Sequence, residues 1–402
     1  MLFIFALLPS GATSNSGGPR SFFFDETATI LRMNRPAVID LFSGVGGLSL
    51  GAARAGFRVA GSVELDPIAS ASHAFNFPGT KHLCEDVSSL SGARLSEVCG
   101  VAPGTLSGLV GGPPCQGFSL IGKRDKGDPR NLLFGQFFRL VAEMRPAFFV
   151  AENVLGILRE ENALIVEAAL SRLPPNYCVL PPLKVKASDY GAPTTRTRVF
   201  FIGFDPSRID MLTSDLFAPD PDIVEIKVKH ALRGLPDVKA DWQQEGQSWR
   251  TVKALDSSEF SERVCGYVPE GVGNPEAVQL AGKRKVSGFL GTRHAEETVA
   301  RFDLLAPGEV DAVYRSPRLD PEGFCPTLRA GTNVDKGSFQ AVRPIHPRRP
   351  RVISPREAAR LQGFPDWFVF HPTKWHAFRQ IGNSVSPIVA ESLLAKIALA
   401  AA

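Results

Sequence analysis

Several features are scarce or missing in this 402-residue sequence, and each absence excludes something. The six cysteines (84, 99, 115, 178, 265 and 325) show no C-x-x-C spacing and no pairing with histidine, which argues against a zinc or other metal site. They suggest no disulfide framework, as suits a cytoplasmic protein in a reducing compartment. The apolar start, Met1 to Leu8, falls far short of the ~20 residues that span a bilayer. No basic segment precedes it, so it makes a poor signal peptide, and no membrane association is expected. The formal net charge is only +4, too small for a polybasic coat protein.

What is present suits a globular protein. A hydrophobic content of 44% and 402 residues leave room for two domains and a substantial core. Residues 9–32 are rich in Ser, Gly, Asn and Phe without periodicity, and Met33 opens Met-Asn-Arg-Pro just before the first apolar run. Residues 1–33 are therefore expected to be a disordered extension, with Met1 or Met33 as the true start.

The most informative stretch reads GGPPCQGFS, from Gly111 to Ser119. An apolar run, Leu106 to Val110, feeds a turn whose prolines fix their own φ and bias the preceding residues away from helix. The glycines allow close backbone approach. A thiol so mounted, Cys115, is presented to a substrate; the alternative is a buried small hydrophobe. Upstream, Ala37-Val38-Ile39 leads into Asp40-Leu41-Phe42-Ser43-Gly44-Val45-Gly46-Gly47 and then a helical pattern. Strand, glycine turn and helix build a nucleotide pocket in a doubly wound sheet. Ser49 occupies the third glycine position, so the dinucleotide fingerprint fails and NAD is disfavoured. Glu64 ends the next apolar run and can accept both hydroxyls of a ribose, while Asp86 closes a third short strand. An adenosine ligand without a pyrophosphate fits this pattern, although three ordinary strand-end carboxylates would read the same way singly.

Short apolar runs alternate with helical patterns to about residue 204, with strands expected at Val38–Phe42, Val59–Glu64, Gly108–Gly111, Phe148–Glu152 and Val199–Gly203, and a helix over Asn131–Met144. Beyond Gly203 the sequence turns rich in Pro, Gly, Asp and Arg and loses its periodicity. Basic residues cluster at Lys283 to Lys285 and from Arg343 to Arg351, a pattern that can track phosphates or simply face solvent. Pro387 to Ala402 reads as a last helix lying beside the first glycine turn.

Together these segments resemble the cytosine-C5 DNA methyltransferases, through nearly the whole chain. Asp40 to Gly47 looks like the S-adenosyl-L-methionine loop, Glu64 like its ribose acid, Asp86 like the adenine contact and Pro114-Cys115 like the nucleophile loop. Ala151-Glu152-Asn153-Val154 is similar to the Glu-Asn-Val motif, and Arg196-Thr197-Arg198 to the paired-arginine motif. Arg356 to Pro365 resembles the segment that organises the recognition domain, and Gln380 to Val385 the last motif. One departure is Thr194, where the family has Gln.

The resemblance implies a Rossmann-like doubly wound mixed α/β sheet with a second, smaller, loop-rich target-recognition domain. Residues 34–204 plus 370–402 would form a discontinuous catalytic domain, and 205–369 the recognition domain. Catalysis would fall to Cys115 with Pro114, Glu152 with Asn153, and Arg196 with Arg198. The cofactor would be held by Phe42, Ser43, Gly44, Val45, Gly46, Gly47, Glu64, Leu65, Asp86, Val87, Asn383 and Ser384. Duplex DNA would meet Gln116, Ser119, Lys123, Arg124, Thr327 and Arg329.

The implied chemistry is methyl transfer to C5 of a flipped cytosine through a covalent Cys115–C6 adduct. A free thiol ionises near pH 8.5, at about the reference value, so a positive environment would have to favour the thiolate, with Arg196 and Arg198 as candidates. Glu152, at a sheet end, would donate to N3. Gln116 to Lys123, with Arg124 and Lys126 just beyond, would close over the base, with glycines at 117, 122 and 127 as hinges. A monomer is expected, with or without a cognate restriction endonuclease. Two other readings stay open: a transfer-RNA cytosine methyltransferase, whose Cys-Phe-Thr element has Phe324-Cys325-Pro326-Thr327 as its nearest match, and an inactive DNA-binding relative.

Overall fold

Strands β1 (Ala37–Leu41), β4 (Gly108–Gly111) and β5 (Phe148–Asn153) are buried at every position, and β2 (Arg58–Val63) at all but its first. Strands this apolar need cover on both faces, which selects a parallel sheet between helical layers. The computed structural model, which describes residues 35–114, 131–239, 249–330 and 343–401, has that sheet.

Helices α1 (Gly47–Arg54) and α2 (Pro67–Asn76) flank β2, and α3 (Gly92–Cys99) separates β3 (Lys81–Leu83) from β4. Helix α4 (Asn131–Met144) precedes β5 and α5 (Ala163–Leu170) follows it, before β6 (Cys178–Val179), β7 (Leu183–Lys186) and β8 (Thr197–Phe204) complete the sheet. The strand order is β3-β2-β1-β4-β5-β8-β6, with β7 also paired to β8. Neighbours from β3 to β5 run parallel, whereas β8 is antiparallel to β5, β6 and β7. The sheet is therefore mixed and doubly wound, as the sequence implied. Phe42 was expected to extend β1, but its φ of +56° lies in the left-handed region and ends the strand.

After β8 the elements are short: α6 (Val228–Ala231), β9 (Arg250–Thr251), α7 (Glu259–Cys265), α8 (Pro275–Gly282), β10 (Lys285–Val286) and α9 (Glu296–Asp303). Helix α10 (Pro355–Gln362) follows, and then the longer α11 (Lys374–Asn383) and α12 (Pro387–Ala400). Helix α10 opens with a capping box: Ser354 Oγ accepts from Glu357 N, and the Glu357 carboxylate accepts from Ser354 N. The helix is buried along its whole length, polar residues included.

Those polar residues hold the loops in place. Arg356 donates to the carbonyls of Ser287, Pro365 and Phe368. Arg360 grips Asp366 through two bonds of 2.9 and 2.6 Å and reaches the Arg233 carbonyl. At the other end of the chain α12 lies against α1, where a Cβ added to Gly51 would stand 2.3 Å from Ala390 Cβ. The described residues from Pro36 onward belong to one compact unit.

Candidate active site

Strand register places the site. Leu41 of β1 pairs with Gly111 of β4, and Gly111 pairs with Ala151 of β5. The turn after β4 thus emerges between the glycine loop after β1 and the last residues of β5. The strand order changes direction between β1 and β4, and open α/β sheets bind ligands in the crevice at such a point. Gly111 is required here, since a Cβ would lie 2.5 Å from the Leu41 carbonyl oxygen.

On the β5 side, Glu152 Oε1 stands 2.9 Å from Arg198 Nε, with both side chains largely buried. A Cβ on Gly112 would lie 3.4 Å from Glu152 Oε2, so the carboxylate faces the turn. Asn153 Nδ2 donates to the Pro113 carbonyl at 3.3 Å, while its Oδ1 accepts from Val154 N. Pro114 is half-buried at the end of this turn. Cys115, Gln116, Ser119, Lys123 and Arg124 lie outside the described residues.

The paired arginines diverge. Arg196, buried, donates Nη1 to the carbonyls of Gly382 (2.8 Å) and Leu328 (3.3 Å), tying the start of β8 to α11 and to the segment holding Thr327 and Arg329. These bonds to backbone carbonyls are those of a positioning residue, in contrast to Arg198 beside Glu152. Thr194 is fully buried; its hydroxyl accepts from Arg196 N, and its backbone bridges to Cys325. Thr327 is half-buried and Arg329 exposed. Burial pushes the Cys325 thiol far up, which keeps it protonated and unsuited to attack.

On the β1 side the loop is built around Glu64. Its Oε2 accepts from Gly44 N at 2.9 Å and its Oε1 from Asp66 N at 2.8 Å, and burial raises its pKa. Each oxygen keeps a further lone pair for a ligand hydroxyl. Gly44 has φ +55° and open space where a Cβ would be, whereas a Cβ on Gly46 would meet Phe77 at 2.4 Å. Gly47 allows Ser384 Oγ and the Val385 carbonyl to approach, so the structure brings the first and last motifs together. Leu65 beside Glu64 is 62% exposed, Asp86 is exposed with Oδ1 accepting from Ser88 N, and Val87 is buried. Ser43 and Val45 are buried and Asn383 is exposed.

A model of the C-5 cytosine-specific DNA methylase family matches residues 37–399. The chain belongs to that family. It is 39% identical over 368 residues to the type II methyltransferase M.XorII of Xanthomonas oryzae pv. oryzae, covering 90% of this chain and 84% of that protein. It is 32% identical over 399 residues to M.DdeI of Desulfomicrobium norvegicum, covering 90% and 88%. The crystal structure of a candidate DNA modification methyltransferase encoded within an E. coli prophage superposes with a TM-score of 0.82 at 50% identity, covering 91% of this chain and 99% of that one. The Dnmt2 methyltransferase of S. pombe shares the fold at 15% identity, with a TM-score of 0.55.

Two groups in this methylase escaped the sequence reading. Helices α9 and α11 begin at a cavity of about 600 Å³ lined by Thr292, Arg293, His294, Ala295, Glu296 and Lys374. Lys374 Nζ donates to the Gly291 carbonyl and Thr292 Oγ1, and burial lowers its pKa to about 8 with help from Arg343. Its distance in sequence from Arg293 hid the cluster. The second group is a hydrogen-bonded file behind the glycine loop: Asp40, Ser49, His73 and His82. Ser49 drew notice only as a missing glycine. Among the described residues no helix is long and apolar enough to cross a membrane, and no cluster of His, Cys, Asp and Glu is arranged to hold a metal.

Proposed function

We propose that this methylase transfers a methyl group from S-adenosyl-L-methionine to C5 of a cytosine rotated out of a specific short duplex DNA sequence. The observation that carries the reading is the convergence at the end of β4. Glu152, backed by Arg198, and Asn153, bonded to Pro113, face the turn that leads into Cys115. The residues across the crevice fit the donor: Glu64 has acceptor capacity for ribose hydroxyls, exposed Leu65 offers an apolar surface for a base, and Asp40 Oδ1 is buried without a hydrogen-bond partner. Asp86 and Val87 at the end of β3, the loop from Phe42 to Gly47, and Asn383 with Ser384 complete the proposed pocket.

Bound there, S-adenosyl-L-methionine supplies an electrophilic methyl group on its sulfonium. Cytosine C5 attacks such a group poorly while the ring is aromatic. The Cys115 thiolate adds to C6, Glu152 donates a proton to N3, and the electron pair gathers at C5. Once C5 is methylated, its proton leaves to a base, the C6–S bond breaks to return the thiolate, and N3 gives its proton back to Glu152. The Arg198 guanidinium orients Glu152, and Arg196 holds the frame around the base. A stacked base cannot reach these groups, so the target must leave the duplex.

The interval 205–369 serves as the recognition domain, with Thr327 and Arg329 at the DNA surface and the cations at Arg293 and Lys374 tracking its backbone. The enzyme acts as a cytoplasmic monomer without metal and belongs to a modification system of the kind to which type II methyltransferases give their name. Methylation sequencing of DNA from a host lacking other methyltransferases and expressing this chain, with Cys115→Ser as blank, tests the reading. Full 5-methylcytosine at one motif is expected. Unmodified DNA from soluble protein, with label entering transfer RNA instead, would overturn it.

A further inference from the structure

Behind the glycine loop, four polar side chains form an unbroken file. Asp40 is fully buried at the end of β1; its Oδ2 accepts from Ser49 Oγ at 2.6 Å and from Ser49 N at 3.1 Å. Ser49 Oγ is 3.0 Å from Nε2 of His73, itself fully buried in α2, and His73 Nδ1 is 2.9 Å from Nε2 of half-buried His82 on β3. Phe77 stacks on His73 at 4.2 Å and fixes its ring. Asp40 Oδ1 has no hydrogen-bond partner.

One acceptor sets every proton in this file. With Asp40 ionised, Ser49 Oγ–H points to it, so Ser49 accepts from His73 Nε2–H, and His73 Nδ1 accepts from His82 Nε2–H. A proton taken up at His82, whose bond to the Thr80 backbone favours the protonated ring, lets each bond shift one place. The His82 Nε2 proton passes to His73 Nδ1, the His73 Nε2 proton to Ser49 Oγ, and the Ser49 proton to Asp40 Oδ2. All three bonds are then reversed, both imidazoles are neutral again, and the net change is one proton on Asp40.

We propose that Ser49, His73 and His82 are positioning residues forming a proton wire that connects buried Asp40 to solvent and couples its charge to occupancy of the methyl-donor pocket. This rests on the reading of that pocket as a sulfonium site. The protonation tendencies agree with it. Burial pushes Asp40 up to about 7, Ser49 opposes this, and Glu64 adds to it. Burial and then His82 hold His73 well below the usual histidine range, and burial lowers His82, so neither imidazole traps the proton. The other charged groups nearby bear on Glu64: Asp66, and Arg379 of α11, which pairs with Asp66 at 3.0 Å.

A bound cation favours the ionised form of Asp40. Donor binding therefore releases a proton, and affinity rises with pH up to about 7 and then levels. The first measurement is ¹⁵N NMR of selectively labelled histidine in the wild-type protein without ligand. His73 and His82 should exchange tautomers together as pH crosses the Asp40 midpoint, without protonating, and Asp40→Asn should abolish the transition. A His73 fixed in one tautomer, or a transition that survives Asp40→Asn, would overturn the wire. The second is calorimetry of S-adenosyl-L-methionine binding in buffers of different ionisation enthalpy. Close to one proton should be released per donor at pH 6, with affinity rising about tenfold per pH unit below 7. S-adenosylhomocysteine, which lacks the sulfonium charge, should release fewer. Equal release for both ligands, or none, would overturn the coupling. If the tautomers switch but S-adenosyl-L-methionine does not bind, the wire stands and the donor reading falls.

Discussion

Asn153 Nδ2 bonds the carbonyl of Pro113, tying the end of β5 to a turn two residues ahead of Cys115. Reaction geometry is sensitive to displacements of about 1 Å, and one hydrogen bond at a hinge can decide such a displacement. Asn153→Ala should lower the single-turnover methylation rate about 10- to 100-fold, the range expected of a positioning loss. DNA affinity should change little. A rate within twofold of wild type would show that the turn holds its place unaided.

Glu152 is set apart from an ordinary strand-end carboxylate by its neighbours, Arg198 at 2.9 Å and the Cβ-free face of Gly112. Glu152→Gln keeps the shape and removes the acid. Loss of a positioned general acid costs about 10²- to 10⁴-fold, so the methylation rate should fall by that much while duplex DNA still binds. An unchanged rate would move the acid role to another group.

The parts of this architecture written in local pattern could be read from sequence. The apolar runs of β1, β2, β4 and β5 announce buried strands, and Asn131–Met144 shows its helical spacing directly. The glycine loop and the Glu152-Asn153 pair are contiguous, so their chemistry travels with the letters. Partnerships across the fold left no such trace. Arg196 looked like the twin of Arg198, yet it holds carbonyls of residues 328 and 382, a contact that exists only once α11 has folded back. The file from Asp40 to His82 spans two strands and two helices, and Arg293 and Lys374 come to one cavity only in three dimensions.

Arg293 and Lys374 line one cavity at the start of two helices, which favours an anion such as a DNA phosphate. Arg293→Gln and Lys374→Met should each weaken binding to cognate and non-cognate duplexes alike. Each should also reduce the slope of log K against log salt by about 1, as for a lost phosphate contact. Unchanged slopes in both variants would place the DNA backbone elsewhere.

Glu357 is buried against Arg351 at 2.9 and 2.8 Å and also accepts from Ser354 N. Burial alone would raise its pKa, but the hydrogen bonds and charge of Arg351 outweigh that and the net shift is downward. A depressed carboxyl stabilises the fold above its unfolded value, near 4.5, and the contribution fades as pH falls through the folded value. Glu357→Gln should cost about 3–5 kcal/mol at neutral pH, because it leaves a buried guanidinium short of its counter-charge. Its stability should also depend less on pH below about 4.5 than that of wild type, by denaturant titration. Parallel pH curves would mean that another carboxyl dominates acid unfolding.

Gly51 marks the closest approach of α1 and α12, since a Cβ there would stand 2.3 Å from Ala390 Cβ and 2.6 Å from Glu391 N. In an exposed helix Gly→Ala normally stabilises, as alanine is the better helix former. Here the added methyl must push the two helices apart, and overpacking of this kind costs about 1–3 kcal/mol. Because α1 begins at Gly47, against Ser384 and Val385, the displacement reaches the glycine loop as well. Gly51→Ala should therefore lower both the unfolding midpoint and the affinity for S-adenosyl-L-methionine, and Gly51→Ala with Ala390→Gly should recover part of each. A single variant more stable than wild type would mean that the helices have slack the close contact conceals.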